Sequence, residues 1–166
     1  MDFILSRRSI RKFKGDKVPE HILREILKAA MSAPSAGNQQ PWHFIIIRER
    51  KILDEIPRFH QYSDSVKEAG CAILVCGDLM LEKHRGYWVQ DCSAATQNIL
   101  IAATVKGLGT CWLGVYPREV RMSGFRNLFS LPEHIVPFAL VPIGYPAETK
   151  PRTNRYDDNR VHYDRW

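Results

Sequence analysis

Residues 91–114 read DCSAATQNILIAATVKGLGTCWLG, and the reading of this stretch, Asp91 to Gly114, decides the fold. A helical pattern is predicted over Trp88 to Lys106. Ala94, Ala95, Asn98, Ile99, Ala102 and Ala103 give it closely spaced faces, and Leu100, Ile101 and Val105 widen the apolar surface around the axis. A helix apolar on most sides is buried in a large body or in an oligomer. One chain here is small, so burial against a second copy is expected. Asp91, near the helix start, suits the helix dipole and could be only a cap. Gly107 is expected to end the helix through a left-handed cap. Thr110 to Leu113 then reads as a short strand, broken by Gly114 and by Tyr116-Pro117. A glycine at that point allows backbone to approach a planar ring closely.

Other apolar segments supply the partners of this helix. After Pro19, a residue suited to the first helical turn, Ile22, Leu23, Ile26, Leu27 and Ala30 repeat at helical spacing. His43 to Ile47 and Cys71 to Gly77 read as strands. The second is nearly all apolar, as for a strand covered on both faces. Arg48 to Ile56 predicts a surface helix ended by Pro57, and Arg118 to Phe129 another helix. Val136 to Ile143 is strand-like, but Pro137 and Pro142 argue for an edge or bulged course. Asp2 to Arg7 reads as a short helix with Phe3 and Ile4 as its apolar contacts. Arg58 to Glu68 has no clear period and could cover a pocket.

The totals narrow the class. The 166 residues suffice for one domain, 1–166, and its 45% hydrophobic and 25% charged residues are ordinary for a soluble protein. No apolar run of about 20 residues predicts a membrane span, and no leader is evident, so a cytoplasmic protein is expected. Cys71, Cys76, Cys92 and Cys111 lack C-x-x-C spacing and read as reduced core thiols. The net charge of +6 favours anionic partners without choosing between nucleic acid and a phosphorylated cofactor.

Two polar segments could carry chemistry. Arg7-Arg8-Ser9-Ile10-Arg11-Lys12-Phe13 sets cations between two apolar anchors, and guanidinium groups grip phosphate through paired donors. A solvated basic stretch is the plainer reading. Ser32 to Trp42 carries Pro34, Ser35, Asn38 and Gln40, whose short polar groups could read a heterocycle or cap local backbone. His43, at a strand start, reads as hydrogen-bonded structure rather than a metal ligand. The tail, 147–166, combines Lys150, Arg152, Arg155 and Arg160 with Tyr156, Tyr163 and Trp166, more aromatic than a disordered basic tail requires. It could wrap a partner or pack on its own chain. Phosphate-loop, metalloprotease and nucleophile-elbow motifs are missing. An organic redox cofactor that carries the chemistry itself fits that pattern.

In order, Arg7 to Phe13, Ser32 to Trp42, Gln90 to Gly114 and the strand ending in Gly144-Tyr145-Pro146 resemble the nitroreductase family of FMN-dependent oxidoreductases. The resemblance implies an α+β fold, a mostly antiparallel central sheet flanked by helices, in an intertwined homodimer with FMN at the interface. It implies that Arg7 and Arg11 contact the FMN phosphate or ribityl and the pyrimidine edge, with Arg8 and Ser9 on the same wall. Pro34, Ser35 and Asn38 would complete the site, at least partly from the other subunit. Leu113 and Gly114 would present backbone to the reactive flavin nitrogen, and Arg152 or Arg155 would add a second phosphate cation. No side chain need act as nucleophile and no metal is implied. The implied activity is ping-pong hydride transfer from NADH or NADPH to a small acceptor: a nitroaromatic, a quinone or a flavin. Specialised members that dehalogenate or reduce enones, and a flavin-binding protein without turnover, are the alternatives. Members are often longer, so the flavin cover here is expected to be more open, or formed by Arg58 to Glu68 alone. Neither nucleic acid nor a membrane is an expected partner.

Overall fold

The computed structural model describes residues 2–166. Its helices are α1 (Asp2–Ser6), α2 (Glu20–Met31), α3 (Arg50–Glu55), α4 (Trp88–Val105) and α5 (Glu119–Phe129). Its strands are β1 (Trp42–Ile47), β2 (Cys71–Asp78), β3 (Gly109–Thr110), β4 (Leu113–Gly114) and β5 (Ile135–Gly144). The strands form one sheet in the order β1-β2-β5-β3, with β4 also on β5, and every ladder is antiparallel. The α+β architecture expected from the sequence is present. Among the described residues no helix is long and apolar enough to cross a membrane.

Every residue of β2 is buried, because α4 and α2 cover one face and α3, α5 and the segment around Val66 cover the other. Burial follows the helical period in α2, where Leu23, Ile26 and Ala30 point inward. Its partner α4 buries Trp88, Cys92, Ala95, Ile99 and Ala103 in the same layer. Asn98 pins the pair by donating from Nδ2 to the Ala29 carbonyl at 2.9 Å. Another face of α4 stays partly open, including Ala94, Ile101 and Ala102, with Val105 exposed. Gly107 ends the helix at φ 72°, the left-handed cap its position predicts.

Four local expectations need correction. The run Thr110 to Leu113 is not one strand: β3 and β4 flank an unpaired Cys111-Trp112. The break lies opposite Val141 and Pro142, where proline brings no N–H to a ladder. Second, β5 is no edge strand, since β2 lies on one side and β3 and β4 on the other. Its prolines are accommodated by that break and by a register shift between Val75 and Cys76, so only the bulged course holds. Third, α3 ends at Glu55, ahead of Pro57 as expected, but the chain does not leave helical backbone there: a 3₁₀ turn over Ile56–Arg58 follows, with Pro57 in its first turn, where a missing N–H costs nothing. Fourth, Phe3 and Ile4 of α1 are exposed rather than packed.

Candidate functional site

The basic segment is stitched to the sheet just beyond the C-terminal end of α4. Ser9 bridges Thr110 in parallel, and the Ile10 N–H donates to the Thr110 carbonyl at 2.8 Å. Ile10 lies so close over Gly109 that a Cβ there would sit 2.7 Å from Ile10 Cγ2. Glu148 Oε1 accepts the Arg11 N–H at 2.6 Å and the Lys12 N–H at 3.3 Å. The Arg11 N–H, helped by Lys150 against some desolvation, holds the Glu148 carboxyl below its usual range. With the backbone tied down this way, the side chains of Arg7, Arg11 and Lys12 have no carboxylate partner among the described residues.

The Arg8 guanidinium braces its own chain, donating to the carbonyls of Arg7 at 2.6 Å, Leu5 at 3.0 Å and Pro151 at 2.7 Å, while its buried Nη2 has no partner. Neither tail arginine is drawn toward Ser9. Arg152 lies 3.4 Å from Asp2, and Arg155 is exposed. The tail cation beside the basic segment is Lys150, whose Nζ donates to the Ser9 carbonyl at 2.7 Å. In the sequence it is one cation among several, and only the fold singles it out.

Arg11 and Lys12 open onto a cleft of about 590 Å³ whose opposite wall comes from His60 to Glu68 and from Arg121 of α5. Trp112, Leu113 and Gly114 line it between them. A Cβ placed on Gly114 would meet nothing within 4 Å, so the backbone is open to close approach. The Gly114 carbonyl accepts Arg121 Nη1 at 2.6 Å and His60 Nε2 at 3.0 Å. A carbonyl only accepts, so Nε2 of His60 carries the proton. Burial first, then the Arg121 charge, lower the His60 pKa, while the Gly114 hydrogen bond opposes them. His60 Nδ1 and Ser65 Oγ are buried on this wall with no protein partner. Neither His60 nor Arg121 was legible as a site residue, because neither lies in a motif.

The second polar loop is attached at the other end of α4. Asp91, 4% exposed, accepts the Ala36 N–H at 3.0 Å and Gln39 Nε2 at 2.6 Å. Gln39 Oε1 in turn accepts the N–H groups of Lys83 and His84, at 2.8 and 3.0 Å. Asp91 therefore does more than favour the helix dipole: it sets the shape of two loops. Pro34 and Asn38 are exposed and Ser35 is partly so. Ser35 Oγ accepts the Gln40 N–H at 3.0 Å, and Asn38 Oδ1 accepts Gln40 Nε2 at 2.7 Å. Gly37, Asn38 and Gln40 all have positive φ, which fixes a tight, strained turn. His43 is hydrogen-bonded structure, 3.3 Å from Asp78.

One chain does not bring its two candidate groups together. They attach near opposite ends of α4, whose 18 residues span about 27 Å at about 1.5 Å per residue. Among the described residues, no group of three or more His, Cys, Asp or Glu side chains could hold a metal ion.

Comparison with known proteins gives a consistent picture. A family model described as "Nitroreductase family" matches residues 4–73 and 61–145. A Methanothermobacter thermautotrophicus protein, provisionally described as an NADH dehydrogenase/NAD(P)H nitroreductase, is 51% identical over 166 residues, covering 100% of this chain and 87% of that protein. An iodotyrosine deiodinase of Thermotoga neapolitana is 28% identical over 93% of this chain and 92% of its own length. Among solved structures, an FMN-dependent nitroreductase from Clostridium difficile superposes with a TM-score of 0.92 at 29% identity, covering 99% of this chain and 98% of that one.

Proposed function

The chain belongs to the nitroreductase family, and from that premise we propose that it is an FMN-dependent oxidoreductase that uses NADH or NADPH. The observation that carries the reading is the cleft itself. Arg11, Lys12 and Arg121 surround a strip of backbone at Trp112–Gly114 that no side chain obstructs at its end. A planar, electron-rich ring fits such a place: cations offset its charge, and an unblocked glycine lets it come close. Bound there, FMN would supply the redox chemistry of a ping-pong hydride transfer between the nicotinamide and a second substrate.

The chain's own part is binding and electrostatics. Arg7, with Lys150 beside Ser9, provides cations for the phosphate, and Arg152 and Arg155 are more distant contributors. Arg11 favours negative charge on the pyrimidine end. Leu113 and Gly114 offer backbone, and Ser9 offers polar groups from the same wall. Pro34, Ser35 and Asn38 belong to the loop attached near the opposite end of α4, so a second copy of the chain supplies them in this reading. A homodimer also gives the partly open face of α4 a partner, and the exposed apolar side chains of Phe3, Ile4 and Leu5 somewhere to bury. The tail, 147–166, holds Tyr163 and Trp166 fully in solvent, as suits a segment that covers a neighbour. β1 has an unpaired edge that such a segment could use.

Nitroaromatics, quinones and free flavins are the proposed acceptors. The similarity to a deiodinase supports a second reading, reductive dehalogenation in the same cleft. The purified protein is expected to be yellow and to bleach on anaerobic addition of NADH or NADPH. A colourless protein that takes up no FMN overturns the cofactor, and a yellow one that neither nucleotide bleaches overturns the donor. Turnover across nitro, quinone, enone and halogenated acceptors separates the two reactions. Light scattering on the purified protein tests the dimer, and a monomer that holds FMN at full affinity refutes it.

A further inference from the structure

Resting on the FMN reading above, we propose that His60 and Arg121 are positioning residues that clamp the Gly114 carbonyl and make the electrostatic field of the cleft at that point positive rather than negative.

The backbone here has little else to hold it. β4 is two residues long, Cys111-Trp112 before it is unpaired, and after it the N–H groups of Val115 and Tyr116 share one carbonyl, that of Phe138. Gly114 has no side chain to pack. Its carbonyl nevertheless has two side-chain donors, one for each lone pair, arriving from separate segments: His60 from the cleft wall and Arg121 from α5. The clamp thus joins that wall, the helix and the backbone strip between them.

The electrical consequence follows from the type of donor. A bare carbonyl beside an electron-rich ring would repel added negative charge. Here its oxygen is occupied and a guanidinium stands beside it. Arg121 has no carboxylate within salt-bridge distance among the described residues, and its guanidinium lies over the Tyr62 ring, 5.4 Å from the centroid. Of the cleft's two acids, Asp64 is paired with Lys67 at 3.0 Å, and the Glu68 carboxylate, which accepts the Phe13 N–H at 3.5 Å, is outnumbered by Arg11, Lys12 and Arg121. A fixed cation at such a place favours the reduced, more negative form of a bound ring. His60 holds its donor in place while its buried Nδ1 goes without a partner. An apolar side chain would fill a purely structural position at lower cost, which points to the Nε2–H as the reason for a histidine.

Two measurements decide the matter. In flavin-free protein, amide exchange at Val115 and Tyr116 is expected to speed up at least about tenfold in His60→Phe, and to recover in His60→Gln, whose amide can still donate. In the FMN-loaded protein, Arg121→Met is expected to reduce the preference for reduced over oxidised flavin about tenfold, lowering the two-electron midpoint potential by about 30 mV. Arg121→Lys, which keeps the charge, is expected to restore most of it. Unchanged exchange in His60→Phe, or an unmoved midpoint in Arg121→Met, overturns the proposal. Should His60→Phe fail to fold, the exchange comparison passes to Arg121→Met, whose side chain is only partly buried. A wild-type chain that takes up no FMN overturns the flavin reading instead and leaves the exchange measurement to decide the clamp.

Discussion

Replacing Asp91 by alanine should loosen the 34–40 loop and cost a large part of the protein's stability. The carboxylate is 4% exposed and receives two hydrogen bonds, from the Ala36 N–H at 3.0 Å and from Gln39 Nε2 at 2.6 Å. A hydrogen bond to a charged group contributes about 1.5–3 kcal/mol, and the donors left behind lose their partner in a buried place. The two bonds share one network and do not simply add, so the expected loss is about 3–5 kcal/mol. A domain of this kind has roughly 5–15 kcal/mol in all. Asn at this position is not a neutral change. Gln39 cannot turn its amide round to suit it, because Gln39 Oε1 already accepts the N–H groups of Lys83 and His84. Asp91→Asn therefore sets an NH₂ group against either the Ala36 N–H or the Gln39 NH₂, and should recover less than half the loss. Urea unfolding followed by tryptophan fluorescence measures both variants, and amide exchange at 36–40 locates the effect. If Asp91→Ala lies within about 0.5 kcal/mol of wild type, the reasoning fails.

Three further outcomes are expected. Gly109→Ala puts a Cβ 2.7 Å from Ile10 Cγ2 and 2.8 Å from Ile10 Cβ. Such overpacking costs about 1–3 kcal/mol, or about 2–4 °C of melting temperature per kcal/mol, read by calorimetry. The folded-state pKa of His60 is lowered, so as pH falls through about 6.5 the unfolded chain takes up a proton that the folded chain refuses. The contribution is present above that value and lost below it, down to the folded pKa; His60→Gln should flatten this part of the stability–pH curve, and an unchanged slope would count against it. Burial pushes the thiols of Cys71 and Cys76 up to about 12 and raises those of Cys92 and Cys111 as well. A thiol reagent at pH 8 should label all four cysteines in urea and almost none in the native protein, so one fast native thiol would contradict the burial.

How much of this was legible depended on where the information lay. The period of Ile22, Leu23, Ile26, Leu27 and Ala30 is local, and α2 forms with the buried face it implies. The apolar run of β2 likewise announced its two covered faces. Strand pairing is not local. Whether Thr110 to Leu113 continues as one strand is settled by Val141 and Pro142, some thirty residues later. The prolines of β5 spoke for an edge, yet a sheet can keep a proline strand central by shifting register at Val75/Cys76. Site residues divided in the same way. Arg11, Leu113 and Gly114 sit in recognisable blocks and meet in one cleft. His60 lies in a segment with no period, and Arg121 on an ordinary helix, so only the folded backbone reveals that both reach Gly114. Lys150 was hidden by its neighbours, since four other cations share the tail and the fold alone selects Lys150 for Ser9.

The span of α4 has a genetic consequence. Consider one variant damaged at the basic segment, Arg7→Ala, and another damaged at the far loop, Ser35→Ala. In the proposed homodimer each alone would spoil both sites of its own symmetric pair. If sites are completed between copies, a mixed pair gathers both lesions into one site and leaves the other whole. Two inactive preparations, unfolded together and refolded, would then regain activity that neither shows alone. Chains that build their sites independently could not complement each other in this way.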